Sequence, residues 1–265
     1  MEIITNSTHP KLKQVRALRQ RKHRDTSQLY VVEGIYHVGE AVASGAPVEY
    51  LCYAPERLTS RFARELIEQQ SAGGLVCYPL SVEAFASIAD KDNPQGILAV
   101  VRQRRTPLEE LTPADFPWGV ALVAPQDPGN VGAIMRTIDA VGASGLLLLE
   151  GGADPFHPSA VRASMGALFW RPLVTASFAE FAAWAKAHGY HVYGTSAHAD
   201  ADYRAISYAQ PAILLLGSEQ RGLLPEQMAA CEQVARLPMR GRVSSLNLAV
   251  AAGLMLYAMM EKWGE

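Results

Sequence analysis

Three polar segments of the chain carry residue types that could hold a nucleotide-like ligand. The first runs from Asn130 to Arg136, where a single arginine stands in a helical pattern that is otherwise small and nearly uncharged. A helix face that only meets solvent is normally rich in Lys and Glu, so this composition predicts the close approach of a ligand or a second subunit. The side chain of Asn130, taken alone, is better explained as an ordinary helix cap.

The second segment, ILLLGSEQRGL, is an apolar strand that ends at Gly217 and is followed by Glu219 and Gly222. Glycines at these positions allow a tight turn and a close approach of backbone to a ligand. The carboxylate of Glu219 could accept a hydrogen bond from a ribose or an amino group, although exposure to solvent is the commoner fate of a loop glutamate.

The third segment, LPMRGRVSSLNLAVAAGLMLYAMM, is a polar loop that runs into an almost uncharged helix. The first N–H groups of a buried helix need partners, and Ser244 or Ser245 is a candidate cap. The backbone from Leu237 to Met239 and the helix entry at 245–247 could surround an adenine and offer donors to a phosphate. A capped core helix behind an ordinary connection explains this segment equally well when it is considered alone.

The elements around these segments alternate between short apolar strands and helical patterns. Strands of this uniform apolarity predict a mainly parallel sheet covered on both faces, with ligands bound beyond the carboxyl ends of the strands, where all three segments fall. A polar, proline-punctuated stretch separates two such regions. We therefore predict an N-terminal α/β domain over residues 1–105, a linker over 106–117 and a second domain over 118–265.

Composition narrows the class of protein. With 265 residues, of which 49% are hydrophobic and 19% charged, the chain predicts globular domains with ample cores. The longest nearly apolar run falls short of the roughly 20 residues that span a bilayer, and no apolar stretch of a signal peptide follows the N-terminus, so we expect a cytoplasmic protein without membrane segments. Cys52, Cys77 and Cys231 have neither disulfide nor metal-ligand spacing, so no metal is predicted.

The N-terminal region is basic. Residues 1–105 carry 14 Lys and Arg against 11 Asp and Glu, whereas residues 106–265 carry 10 against 15. Pro10, preceded by Ser7 or Thr8, is a plausible helix start, and apolar residues recur every three positions after it. A basic helix face favours a polyanion, because each neutralised phosphate releases counterions, although a solvated face is the plain alternative. The cations concerned are Lys11, Lys13, Arg16, Arg19, Arg21, Lys22 and Arg24.

Taken together, NVGAIMRTIDAVGASGLLL, LLLGSEQRGL and LPMRGRVSSLNLAVAAGLMLY closely resemble the three motifs of the SpoU (TrmH) branch of the SPOUT RNA methyltransferases. The resemblance covers essentially all of residues 118–265. The basic region with LYVVEG looks like the accessory RNA-binding domain of many members, an α/β fold akin to some large-subunit ribosomal proteins. The resemblance implies an α/β fold whose C-terminal domain is trefoil-knotted, an exception to the usual absence of threaded chains.

The resemblance also implies a homodimer that binds S-adenosylmethionine in the knot loops and methylates a ribose 2′-hydroxyl of RNA. By motif position, Arg136 is the catalytic arginine and Asn130 its helper, with Ser245 and Asn247 beside them. The cofactor shell comprises Leu216, Gly217, Glu219, Leu237, Met239, Ser245 and Leu246. Arg162, in RASMGALF, is assigned to an RNA phosphate, and Ser218 stands where many members have Asn.

Ribosomal RNA is favoured over transfer RNA, because an added RNA-binding domain suits a structured target. Three other functions stay open: a SPOUT enzyme that methylates a base nitrogen, an RNA-binding protein without turnover, and a dinucleotide-dependent oxidoreductase. The last ranks lowest, because no GxGxxG follows a strand.

Overall fold

The computed structural model describes residues 2–90 and 93–263, which form two compact units. The first unit contains the described residues up to Gln103 together with Phe156–Trp170, and the second contains Arg104–Pro155 and the described residues from Arg171 onward. This grouping differs from the sequence-based boundaries. The stretch assigned to a linker places Leu111 and Phe116 in the core of the second unit, and residues 156–170 pack with the first. As a division into folding domains, the boundaries at 105 and 118 stay a prediction.

The first unit is built on a four-stranded sheet. Its strand order is β1-β4-β2-β3, with β4 antiparallel to both of its neighbours and β3 parallel to β2. The elements in chain order are α1 (Pro10–Ala17), α2 (Arg21–Ser27), β1 (Leu29–Glu33), α3 (Ile35–Ala43), β2 (Val48–Tyr53), α4 (Arg61–Ala72), β3 (Cys77–Pro79), α5 (Val82–Ala86) and β4 (Ile97–Arg102).

The rest of the chain alternates strands and helices. In order these are β5 (Trp118–Val123), α6 (Pro128–Ala140), β6 (Leu146–Leu149), α7 (Pro158–Ala163), α8 (Ala167–Trp170), β7 (Leu173–Ala176), α9 (Phe178–Ala187), β8 (His191–Thr195), β9 (Ala201–Asp202), β10 (Ala212–Leu216), α10 (Pro225–Ala229), β11 (Gln233–Arg236) and α11 (Leu248–Trp263). Only α7 and α8 of this set belong to the first unit.

The second unit contains a seven-stranded sheet of order β7-β6-β5-β10-β8-β11-β9, in which every pairing is parallel. The predicted mainly parallel sheet is therefore confirmed. Every residue of β5, β6 and β10 is buried, as their unbroken apolar sequences require. Because the strands are parallel, the loops that follow β8, β10 and β11 leave the sheet at the same edge. The trefoil knot stays a prediction.

The sequence pattern around Ser159 to Phe169 predicts one helix, which the structure divides. The pattern over residues 159–169 forms α7 and α8, separated at Met165 and Gly166, whose φ angles are 51° and 101°. Left-handed backbone cannot continue an α-helix, so the chain turns here. Among the residues described, no helix is both long and apolar enough to cross a membrane.

Candidate functional site

The loops after β8, β10 and β11 surround a cavity of about 770 Å³ at the carboxyl edge of the parallel sheet. All seven residues that were assigned to the cofactor shell line it: Leu216, Gly217, Glu219, Leu237, Met239, Ser245 and Leu246. Leucine and methionine form apolar walls, and Glu219 and Ser245 add polar groups. The loops that carry the motif residues thus meet at one cavity, while the binding role of each residue stays a prediction.

The sequence reasoning missed one wall of this cavity. Thr195, Ser196, Ala197 and His198, at the end of β8 and just beyond, also line it. A signal was present, because the run YHVYGTS (190–196) predicts a strand where β8 lies, and the loops after parallel strands meet at one edge. The segment lacks glycine and acidic residues, so its composition did not mark it.

The loop after β10 is folded back on itself at Gly217. A Cβ atom at this position would lie 2.0 Å from the carbonyl carbon of Gly222, so no side chain fits. The backbone N–H of Gly222, which has a φ of 63°, donates to the carbonyl of Ser218 over 2.9 Å. The hydroxyl of Ser218 accepts from the N–H of Arg221 over 3.3 Å, so this short side chain stabilises the turn.

Glu219 connects this turn to the start of α6. One carboxylate oxygen accepts from the N–H of Gln126 over 3.0 Å, and the other accepts from Nδ2 of Asn130, also over 3.0 Å. An acidic side chain is stabilised at this end of a helix, where unpaired N–H groups point outward. N–H groups of the protein therefore already donate hydrogen bonds to the carboxylate of Glu219, and they hold it in place without a ligand.

Asn130 is not the cap of α6, which corrects the simplest expectation for it. The cap is Asp127, whose Oδ1 accepts from the N–H of Gly129 over 2.6 Å. Asn130 is instead buried inside the first turn, where its amide joins two loops. It donates to Glu219, and its carbonyl oxygen accepts from Nδ2 of Asn247 over 2.9 Å.

The sequence predicted Ser244 or Ser245 as the cap of α11, but neither residue caps the helix. The helix begins at Leu248, and Oδ1 of Asn247 accepts from the N–H groups of Ala249 and Val250 over 2.9 and 3.3 Å. A side chain two or three residues ahead of the first helical N–H groups is the usual source of that acceptor. Ser245 is left exposed at the cavity and makes no side-chain hydrogen bond to the residues that the structure describes.

Arg136 stands apart from this network. It lies on α6, is exposed, and does not line the cavity of its own chain. Within the described part of the chain its guanidinium has no hydrogen-bonding or ion-pair partner. An exposed arginine on a face of small residues leaves room for a second molecule to approach it.

Helix α11 packs against α6 and exposes an apolar stripe on its outer face. Val250, Leu254 and Tyr257 are 51%, 44% and 47% exposed, and their spacing of four and three residues aligns them along one side. The opposite side of the helix, which includes Met255 and Met259, is buried. Helix α11 is therefore apolar on both sides, as a helix at a subunit contact would be.

The basic segment of the first unit forms two helices rather than one. His9, not Ser7 or Thr8, caps α1, and Pro10 is the first helical residue as predicted. Residues 18–20 form a turn between α1 and α2, so the seven cations do not lie on a single helix face. Lys13 and Lys22 are exposed, and Lys11 lies 4.5 Å from the centre of the Tyr50 ring.

The arginines of this segment are partly used inside the unit. Arg16 donates to the hydroxyl of Ser87 over 3.1 Å, Arg19 donates to the carbonyl of Ala89, and Arg21 pairs with Asp25 at 3.5 Å. These side chains remain partly or fully exposed, so their predicted contact with RNA stays a prediction.

Arg24 departs from that prediction. Its residue is 2% exposed, and Nη1 donates to the carbonyls of Leu18 and Arg19 over 2.7 and 2.8 Å. These carbonyls follow the end of α1, where acceptors have no partner within the helix. Arg24 is thus a buried structural residue, and we remove it from the proposed RNA-binding set.

Arg162 lies on α7 in the first unit and pairs with Asp90, with Nη1 and Oδ2 2.5 Å apart. Both side chains are only partly covered, so the pair meets solvent. The assignment of Arg162 to an RNA phosphate stays a prediction, and such a contact would compete with Asp90.

Residues 117–257 match the family model described as the SpoU rRNA methylase family. The chain belongs to the SpoU rRNA methylase family. Residues 9–99 of this SpoU methylase match a second model, an MRM3-like substrate binding domain. The two matches fall on either side of the polar stretch that precedes β5.

Curated relatives span nearly the whole chain. A 23S rRNA (uridine(2479)-2′-O)-methyltransferase of Streptomyces viridochromogenes is 33% identical over 247 residues, covering 91% of this chain and 85% of that protein. The 23S rRNA (guanosine(2553)-2′-O)-methyltransferase RlmP of Bacillus subtilis is 31% identical over 258 residues, covering 97% and 98%. Among solved structures, an AdoMet-bound rRNA methyltransferase from Sinorhizobium meliloti is similar, with a TM-score of 0.89 and 36% identity over 98% of this chain and 97% of that chain.

Proposed function

We propose that this SpoU methylase transfers a methyl group from S-adenosylmethionine to a ribose 2′-hydroxyl of ribosomal RNA. The single observation that carries the proposal is the cavity at the carboxyl edge of the sheet, which all seven motif residues of the cofactor shell line. The substrate class rests on the relatives with covered lengths of 85% and 98%, which are named as 23S rRNA 2′-O-methyltransferases.

The residues of the cavity fit this cofactor. Leu216, Leu237, Met239 and Leu246 offer apolar surface to an adenine, and Ser196 and Ser245 offer hydroxyl groups to its polar substituents. Because Gly217 has no side chain, the backbone of the turn can close tightly against Gly222 at the wall of the cavity. S-adenosylmethionine supplies an electrophilic methyl group on a sulfonium centre.

Arg136 is proposed to act on the ribose oxygen by electrostatic stabilisation. A guanidinium stays protonated in proteins, so it does not serve as a general base. Its positive charge instead stabilises the negative charge that develops on the 2′-oxygen as its proton passes to the neighbouring RNA phosphate, and that charge is lost when the oxygen takes the methyl group and the bond from the methyl carbon to the sulfonium sulfur breaks. Ser245, which is exposed at the cavity and is not needed as a helix cap, orients that phosphate.

The proposed assembly is a cytoplasmic homodimer. The stripe of Val250, Leu254 and Tyr257 on α11 is apolar and about half exposed, and Arg136 lies on the helix packed beside it. A second copy that covers this stripe approaches Arg136 as well. This arrangement explains why the arginine does not line the cavity of its own chain.

A methylation assay tests the function. The full-length protein is incubated with tritium-labelled S-adenosylmethionine and ribosomal RNA from cells that lack the protein, and the RNA is digested and analysed by mass spectrometry. We expect a 2′-O-methylated nucleoside at one position and an alkali-resistant phosphodiester there. An Arg136→Ala variant serves as the control for contaminating activity.

Other products would replace the proposal. A methyl group on a base nitrogen would assign the chain to base methylation, and transfer confined to transfer RNA would change the substrate. Binding of RNA without transfer would leave an RNA-binding protein.

A further inference from the structure

The loop between β11 and α11 carries two arginines that the motif positions do not use. Residues 240–245, RGRVSS, are all exposed, which gives six consecutive solvent-facing positions. Met239 on one side of the tip and Ser244 on the other both line the cavity. The tip between them, with Arg240 and Arg242, therefore lies at the mouth of the cavity without entering it.

Arg240 and Arg242, like Arg136, have no side-chain partner among the described residues, whereas two other arginines of the second unit form ion pairs. Arg171 pairs with Asp139 at 2.7 Å, and Arg204 pairs with Asp202 at 2.7 Å. Arg240 and Arg242 make no hydrogen bond and no ion pair to any residue that the structure describes. Residues 106–265 carry more acidic than basic side chains, so acids to pair with are present elsewhere in the unit.

We propose that Arg240 and Arg242 form a phosphate clamp that grips the RNA backbone next to the target nucleotide. The proposal rests on the proposed function and extends it to residues outside the cavity. A guanidinium can donate two parallel hydrogen bonds to one phosphate, and it loses little hydration when it does so. Val243, which is 64% exposed beside Arg242, offers apolar surface to the adjoining ribose or base.

The position of the two arginines determines which kinetic constant they should affect. A methyl acceptor must bring its ribose to the cavity mouth, and the phosphates on either side of that ribose then lie over the rim. Both arginines would hold these phosphates equally in the bound substrate and in the transition state. Such uniform binding lowers the KM for RNA and leaves kcat nearly unchanged.

The test uses the full-length protein with Arg240→Gln, Arg242→Gln and the double variant. Lys186→Gln is the matched control, because Lys186 is an exposed cation without a partner among the described residues and lies near the end of α9, before β8, away from the loops around the cavity. The probe is ribosomal RNA from cells that lack the protein. Filter binding at several salt concentrations gives the affinity, and steady-state methylation gives KM and kcat.

We expect each single change to raise the Kd and the KM for RNA by about fivefold to tenfold, with kcat within about twofold of the parent protein. Each lost phosphate contact should reduce the slope of log affinity against log salt by about 0.7 to 0.9. The double Arg→Lys variant keeps both charges and should restore the slope while recovering only part of the affinity. The affinity for S-adenosylmethionine, measured by calorimetry, should not change.

Values for both arginine variants that match those of Lys186→Gln would overturn the clamp, as would a loss of cofactor affinity or a slope that lysine does not restore. A parent protein that binds RNA but transfers no methyl group would contradict the proposed function instead. The salt slopes from filter binding would still decide whether the clamp exists.

Discussion

Asn130 donates its side-chain amide to the carboxylate of Glu219 over 3.0 Å, and thereby joins the start of α6 to the turn after β10. The same amide accepts from Asn247, so one side chain connects all three motif loops. The motif residues had been assigned to catalysis and to the cofactor. Their hydrogen bonds indicate that part of their work is to hold the loops of the cavity in register.

Asn130→Asp tests this connection. The change replaces a donor with a second carboxylate facing Glu219, so we expect the free energy of unfolding to fall by about 1–3 kcal/mol and cofactor affinity to drop. Thermal unfolding and calorimetry measure the two effects. Asn6→Asp is the control, because Asn6 uses only its acceptor oxygen, toward the N–H of Thr8 at 2.8 Å, and aspartate keeps that bond. Unchanged cofactor affinity in Asn130→Asp would contradict a role in holding the cavity.

Arg136→Ala separates chemistry from cofactor binding. Because Arg136 does not line the cavity of its own chain, we expect the affinity for S-adenosylmethionine to stay within about twofold. Methyl transfer should fall by about 10²-fold or more, the usual effect of removing a group that stabilises developing negative charge. Calorimetry and a tritium-transfer assay provide the two readouts, with Lys186→Ala as the control. A large loss of cofactor affinity would indicate that Arg136 belongs to the cofactor site and would contradict its proposed role at the ribose oxygen.

Asn247→Ala should lower the stability of the protein, whereas Ser245→Ala should not. Asn247 caps α11, so its replacement should lower the free energy of unfolding by about 1 kcal/mol or more. Ser245 has no such role, and its replacement should leave the unfolding midpoint unchanged while methyl transfer declines. Thermal denaturation and the methylation assay compare the pair directly. A Ser245→Ala variant with full activity would remove Ser245 from the proposed phosphate contact.

Leu254→Arg tests the proposed dimer. Leu254 lies at the middle of the exposed stripe of α11, so a charge there should separate the subunits without disturbing the buried side of the helix. Sedimentation velocity would then give a monomer, and methyl transfer should fall with it, since the proposed role of Arg136 depends on a second copy. Ala183→Arg, an exposed position on α9, supplies the matched charge. A parent protein that sediments as a monomer would rule out the dimer.

Arg24→Met and Lys22→Met distinguish structure from RNA contact in the basic segment. Loss of the two hydrogen bonds from the buried Arg24 should cost about 2–3 kcal/mol of folding stability, with RNA affinity unchanged where the protein is still folded. Lys22 is exposed, so its replacement should weaken RNA binding and leave stability unchanged. Chemical denaturation and filter binding measure both. Weaker RNA binding by folded Arg24→Met would restore Arg24 to the binding set.

The elements that the sequence predicted best are those whose burial requires an unbroken apolar run. The apolar runs GVALVA (119–124), GLLLLE (145–150) and AILLLG (212–217) predict strands, and β5, β6 and β10 begin and end within one residue of them. No polar side chain can replace an apolar one between two layers of helices. β11 was missed, because Gln233 and Arg236 are exposed and its pattern does not differ from a loop. β9 contains two residues, too few for any periodicity.

The sequence predicted which residues line the candidate site but not the hydrogen bonds that join them. The cavity-lining residues followed from motif loops at one sheet edge, whereas the partners of Asn130 and Asn247 are 89 and 117 residues away in the chain. Local sequence favoured a cap for Asn130 and a serine cap for α11, because capping preferences are short-range and do not register a distant carboxylate. The burial of Arg24 was missed for a different reason: the run of cations predicts one basic helix face, whereas the chain forms two helices and Arg24 folds back onto the carbonyls of Leu18 and Arg19.

The segment 156–170 limits how the two units can be exchanged between relatives. It lies between β6 and β7 in the chain, yet Phe156 packs on Tyr30 with ring centres 4.8 Å apart, and Arg162 pairs with Asp90. A chimera joined only near residue 103 would pair this segment with a foreign surface and leave Phe156 and Val161 without their own cover. Recombination that preserves folding must therefore transfer two separate stretches of sequence together.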